Sequence, residues 1–312
     1  MMKGPAIIFL LLIATPVMWA QNGVQISGGL DARYTHENHP AADDFKAEGL
    51  FLNLRKVWSD EQGDRWIGVA QVDADDNFSS VTPYQVYLQY KGPLGKWNIR
   101  AGHFLLPFGL LATYDTERLV LQGLEQFSLG IRHDTGAQIF GHFGDWDYAV
   151  SVTDGLSDIH FADSRANPVL MARMAYVQDD WQIGVSTLIG HVLADFEFSD
   201  GPEFVSERRA AIDMTKSWGP LTIRAEGVGG TDDGRTVGGG IILADYALTP
   251  KWELNTRYAW WHKDGDMQFV GLGLTYQFAQ GLYARVGDNY EFGKEQKNAL
   301  TTQLYFEFSK QF

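Results

Sequence analysis

Residues 146–153 read Trp146-Asp147-Tyr148-Ala149-Val150-Ser151-Val152-Thr153, with aromatic or β-branched side chains at the first, third, fifth and seventh places and small or polar ones between them. Successive side chains of an extended chain point to opposite faces, so this spacing builds a strand with one apolar and one polar face. The alternation recurs at Tyr84–Tyr90, at Leu221–Glu226, and around Trp252, Leu254 and Tyr258, which interleave with Lys251, Glu253, Asn255 and Arg257. Counting such stretches predicts sixteen strands: 23–35, 46–57, 64–73, 82–91, 96–105, 132–143, 145–154, 168–178, 181–191, 206–218, 220–230, 236–248, 251–261, 266–278, 281–292 and 299–312.

The connections fall into two alternating classes. Short ones, such as Asp60-Glu61-Gln62-Gly63, Gly92-Pro93-Leu94-Gly95, Gly144-Asp145 and Thr249-Pro250, carry the Gly, Asp and Pro that tight turns use. Longer, acidic ones are expected at 36–45, 74–81, 106–131, 155–167, 192–205, 231–235, 262–265 and 293–298. With seven short turns and eight long loops, both termini fall on the short-turn side, the layout of an all-β transmembrane antiparallel barrel with periplasmic ends. No stretch offers 18 consecutive apolar residues, and a closed barrel is the architecture that crosses a bilayer without one.

Composition narrows the chemistry. The 312 residues contain no cysteine, which excludes a disulfide scaffold, a thiolate metal site and a cysteine nucleophile. A net charge of −14 argues against a nucleic-acid partner, because phosphate binding needs an excess of Lys and Arg. At the amino end Lys3, the apolar run Ala6–Leu12 and Val17-Met18-Trp19-Ala20 before Gln21 form a leader for export. Cleavage after Ala20 would leave residues 21–312 as a single barrel domain, and no cofactor is expected in it.

Trp66, Trp97, Trp146, Trp181 and Trp252 each stand within four residues after a short turn, and Trp218 just before one, so six of the ten tryptophans gather at one rim. An aromatic girdle at a membrane interface has this form. If the tryptophan parity faces lipid, the opposite parity faces the lumen, and Arg33, Arg55, Arg100, Arg132, Arg173, Arg209, Arg224, Arg257 and Arg285 point inward, nine of the fourteen arginines. Two readings follow. The guanidinium forks could draw anions through a water-filled bore, or they could pair with inward acids such as Asp31, Asp134, Asp213, Glu226, Glu253 and Glu307 and brace the wall. Acidic side chains at Asp43, Asp44, Asp75, Asp76, Asp195, Glu197, Asp232, Asp233, Asp264 and Asp266 are expected in loops, where they would meet solvent or lipopolysaccharide.

The third long loop, 106–131, is partly apolar, with Leu119, Val120, Leu121, Leu124 and Phe127. A loop of this length is expected to work rather than merely connect. Folded into the bore, it would set the size limit, with Phe108, Asp115, Glu117, Arg118 and Glu125 as constriction candidates. The runs Ile99-Arg100-Ala101-Gly102-His103-Phe104-Leu105-Leu106-Pro107-Phe108-Gly109 and Gly130-Ile131-Arg132-His133-Asp134-Thr135-Gly136-Ala137-Gln138-Ile139-Phe140-Gly141 resemble the phosphate-selective porin O/P-like superfamily. The closing run Leu304–Phe312, ending on an aromatic residue, is similar to the terminal strand of Gram-negative outer-membrane proteins. These resemblances imply an outer-membrane location, an inward third loop, a homotrimer and passage of small hydrophilic or anionic solutes. The third loop departs from the phosphate-passing members, with Arg118 as its one base against three acids.

Catalytic patterns are absent: there is no His-Glu-x-x-His, no Gly-x-Ser-x-Gly and no His-x-Ser-Asn-Gly. An outer-membrane lipase is therefore the weakest reading, and a structural sheath around a partner protein is the other alternative to a porin.

Overall fold

The computed structural model describes residues 23–38, 41–61, 63–75, 80–112, 114, 121, 132–156, 167–193, 204–263, 266–292 and 297–311. The predicted leader, 1–20, lies outside the described residues. Sixteen strands follow one another: β1 Val24–Asn38, β2 Ala41–Asp60, β3 Gly63–Asp75, β4 Ser80–Lys91, β5 Asn98–Leu105, β6 His133–Phe143, β7 Trp146–Thr153 and β8 Val169–Val177. The second half comprises β9 Trp181–Leu193, β10 Phe204–Trp218, β11 Leu221–Asp232, β12 Arg235–Thr249, β13 Trp252–His262, β14 Asp266–Ala279, β15 Leu282–Phe292 and β16 Lys297–Gln311. Each pairs antiparallel with its neighbours in sequence, and β1 pairs with β16, so the sheet closes and leaves no edge. At the seam Leu30 sits opposite Phe306 and Ala32 opposite Leu304.

Sequence alternation becomes inside and outside. Along β16, Leu304, Phe306 and Phe308 are exposed on the outer face, whereas Thr301, Gln303 and Tyr305 are buried on the inner one. The outward set on other strands is equally apolar, as with Val150 and Val152 on β7 or Ile183, Val185 and Ile189 on β9. A soluble protein would not leave such a belt in water; in a bilayer the belt is the contact with hydrocarbon.

The aromatic rim is real and larger than the tryptophans alone suggest. Trp66 packs against Tyr90 and Tyr90 against Trp97, with ring centroids 5.0 and 5.5 Å apart. Trp146, Tyr176 and Trp181 repeat the arrangement at 5.0 and 5.5 Å, and Trp252, Tyr276 and Phe278 at 4.5 and 4.7 Å. Tyr90 and Tyr176 each link the rings of two neighbours in the barrel at the short-turn end, whereas Tyr276 joins Trp252 of β13 to Phe278 of its own strand.

Two of the expected long loops, 36–45 and 231–235, are mostly strand. Asp43 and Asp44 stand on β2, β11 and β12 are joined by Asp233-Gly234 alone, and Asp266 opens β14. The strands outrun the alternation because pairing continues above the bilayer, where neither face must be apolar. Polar cross-strand contacts hold that extension: the Tyr34 hydroxyl donates to Asp43 at 2.8 Å, and His36 Nδ1 lies 2.7 Å from the same carboxylate. Asp232 is likewise no solvated loop charge, being 5% exposed inside the barrel. Asp76, Asp195, Glu197 and Asp264 lie outside the described residues.

Candidate functional site

The third loop starts where β5 ends. Leu106 N–H donates to Arg132 O at 2.9 Å, so the loop's two roots are tied together. Gly109 then takes φ +58°, and the glutamate carboxylate of Glu226 occupies the space where a Cβ at this position would stand. Two backbone donors are satisfied there: Gly109 N–H bonds Ser186 Oγ and Leu110 N–H bonds Glu226 Oε2, each at 2.9 Å. Ser186 is on β9 and Glu226 on β11, so this short 3-10 turn, Gly109–Ala112, docks on a distant part of the wall.

Further along, the Tyr114 ring lies 3.8 Å beneath the Arg224 guanidinium, and Leu121 fills the space above Gly271 on β14. Burial pushes the Tyr114 phenol up to about 12, with Asp245 adding to the rise. Leu106, Phe108 and Leu110 are buried against inward side chains including Met171, Leu188, Ile241 and Trp261. The described residues of the loop thus touch interior side chains from β8 to β14. Phe108 is a packing anchor in this cluster. Asp115, Glu117, Arg118 and Glu125 lie outside the described residues.

The nine arginines divide by partner. Arg173 pairs with Asp213 at 2.6 Å, Arg209 with both Glu207 and Asp232 at 2.7 Å, Arg33 with Asp31 at 2.7 Å, and Arg224 with Asp245. These four brace the wall. Arg285 donates to Gln303 at 3.0 Å, Arg257 to Asn289 at 2.8 Å and Arg132 to the Tyr84 hydroxyl at 2.7 Å. Arg100 donates to Gln138 and to Leu105 O, while its guanidinium carbon lies 4.6, 5.0 and 5.4 Å from the rings of Phe104, Phe140 and Tyr87. Among the described residues Arg100 meets no carboxylate, and Arg55 makes no ion pair.

The predicted bracing acids match this only in part. Asp31 and Asp213 do pair with arginines. Glu226 also caps the loop backbone, Glu253 accepts from Asn255 at 2.7 Å, Glu307 accepts from Tyr305 at 3.1 Å, and Asp134 accepts from the Thr135 and Gly155 amides. Sequence reasoning missed Ser186, Tyr114, Gln138 and Gln303, neutral side chains that carry no pattern of their own. Trp261, next to the outward Trp260, is 4% exposed inside the barrel.

Between β15 and β3 the inner wall is a hydrogen-bonded polar surface. Arg285 reaches Gln303, Gln303 Nε2 donates to Asp31 at 2.6 Å, and Arg33 closes on the same carboxylate. Asn53 donates to Gln71 at 3.1 Å and Gln71 to Asp73 at 3.0 Å.

This architecture is shared with solved outer-membrane barrels. A loop-deletion form of OmpT, an outer membrane protein of Vibrio cholerae, superposes with a TM-score of 0.75 at 11% identity, covering 92% of this chain and 99% of that one. An anion-selective porin from Comamonas acidovorans gives 0.71 at 12% identity, covering 92% and 100%. The outer membrane channel DcaP of Acinetobacter baumannii gives 0.69 at 12% identity, covering 95% and 100%. The fold is that of an outer-membrane porin. With its apolar outer belt, it seats this barrel in a bacterial outer membrane. No protein-family profile and no curated protein sequence matches the chain.

Proposed function

We propose that this barrel is a non-enzymatic porin through which small hydrophilic solutes diffuse, with a preference for anions. The observation that carries the reading is the division of the lumen: the described part of the third loop packs on one wall and leaves a polar wall opposite. Such an arrangement narrows a bore without sealing it, and the third loop takes the part of the constriction. The anion preference rests on Arg100 and Arg55, cations that no carboxylate offsets among the described residues; fixed cations in a narrow aqueous path raise the local anion concentration. Arg33, Arg132, Arg173, Arg209, Arg224, Arg257 and Arg285 are assigned to the path wall, several of them as braces. A sheath around a partner protein is disfavoured, because loop side chains occupy interior space such a partner would need.

In this reading residues 1–20 are removed on export and the mature chain forms a homotrimer among outer-membrane lipid and lipopolysaccharide. The test is planar-bilayer recording of the purified protein across a salt gradient. An anion-selective reversal potential is expected. A cation-selective potential would overturn the anion preference, and absence of conductance would overturn the channel.

A further inference from the structure

Beneath the root of the third loop the inner wall is hollowed. A recess of about 430 Å³ lies between β4 and β8, roofed by Leu105, Leu106 and Pro107. This volume lies within the ordinary range of small-ligand sites. Its side chains are of two kinds. Arg100, Arg173, Gln85 and Gln138 supply polar groups, whereas Leu106, Pro107, Phe140 and Ala149 supply apolar surface.

The charges in the recess are not balanced evenly. Arg173 is committed to Asp213, and its Nε is buried with no partner among the described residues. Gly184 permits this pair, since a Cβ there would overlap the Arg173 guanidinium. Asp147 and His142 stand exposed at the edge. Arg100 is different. Three aromatic rings and the neutral acceptors Gln138 and Leu105 O surround its guanidinium, and no carboxylate among the described residues offsets its charge.

We propose that the recess binds a small organic anion, a single carboxylate on an apolar body. The carboxylate would meet the Arg100 guanidinium, with the Gln85 amide alongside, and the apolar body would lie against Leu106, Pro107 and Phe140. A charge-assisted bond of this kind is strong where water is partly excluded. Inorganic phosphate fits less well, because its several hydrated oxygens would face carbon over much of the lining. The proposal deepens the porin reading and rests on it for its meaning as a step on a solute path.

The experiment uses the full-length mature barrel, refolded in detergent, and a ligand-observed NMR titration that does not require conduction. The probes are cyclohexanecarboxylate, its uncharged amide, and inorganic phosphate. The carboxylate is expected to bind at least tenfold more tightly than either comparison. Arg100→Gln should weaken it about tenfold, and Ala149→Leu, which fills the recess without removing a charge, should weaken it as much. Equal binding of acid and amide, stronger binding of phosphate, binding that survives both variants, or no binding at all would overturn the proposal. A barrel that binds the carboxylate but conducts nothing would sink the porin reading and leave the recess standing.

Discussion

The two walls of the lumen are built from strands of the same barrel, yet they solve the problem of an interior surface in opposite ways. The wall from β8 to β14 is largely apolar where Phe108 and Leu110 lie on Met171, Leu188 and Ile241, and three of its cations are neutralised: Arg173 by Asp213, Arg209 by two carboxylates, Arg224 by Asp245. The wall from β15 to β3 is polar, a row of amides and charges from Arg285 through Gln303 and Asp31 to Arg33. The lesson is one of desolvation. A guanidinium that loses its water needs acceptors in its place: Arg173, Arg209 and Arg224 find carboxylates, whereas Arg285 rests on the amide of Gln303 and Arg257 on that of Asn289.

That contrast can be broken at its hinge. Gly109→Val would place a branched side chain in a left-handed backbone and into the Glu226 carboxylate, releasing the bonds to Ser186 and Glu226. The expected outcome is a several-fold rise in single-channel conductance in bilayer recording, with the apolar wall uncovered; unchanged conductance would show that the loop does not limit the bore.

The walls can also be compared through one substitution made in each. Arg209→Met strands the buried Glu207 and leaves the buried Asp232 with Lys263 alone, and should cost about 3–5 kcal/mol in urea unfolding of the refolded barrel. Arg33→Met leaves the equally buried Asp31 its Gln303 donor, and should cost less, about 1–3 kcal/mol. Equal costs would show that the neutral Gln303 donor does not offset the loss of the cation.

A third measurement sets the baseline outside both walls. Asp180, in the turn before β9, accepts from Lys216, and that hydrogen bond lowers its pKa below the ordinary carboxylate value. A depressed folded-state pKa contributes stability above the unfolded pKa and loses it as the pH falls through the folded one. The stability difference between the parent and Asp180→Asn should therefore be small at neutral pH, because the pair is exposed, and should vanish in acid. A difference that grows on acidification would contradict the assignment.

Much of this was legible in the residues, and the exceptions have a common cause. The sixteen strands were readable because each has lipid on one side, which forces alternation. The closing strand was readable for the same reason at Leu304, Phe306 and Phe308. What alternation could not convey was the inside of the covered wall. On β12, Val237-Gly238-Gly239-Gly240-Ile241-Ile242-Leu243 is apolar on both parities, with Ile242 facing lipid and Ile241 and Leu243 facing inward. A strand buried on both faces reads as a continuous apolar run. In a barrel, such a run marks the strands on which an inward loop settles. The partners of the arginines were hidden more deeply, since Gln138 and Gln303 meet Arg100 and Arg285 only through the register between strands.

The loop's anchors also impose an order of assembly. Gly109 meets a partner 77 residues further along the chain, and Leu110 one that is 116 residues away. Leu121 rests over Gly271 on β14, so its seat exists only when nearly every strand is in place. Contacts of such long sequence separation form late. The internal strut can therefore seat fully only after the strands through β14 are in place, late in the building of the wall.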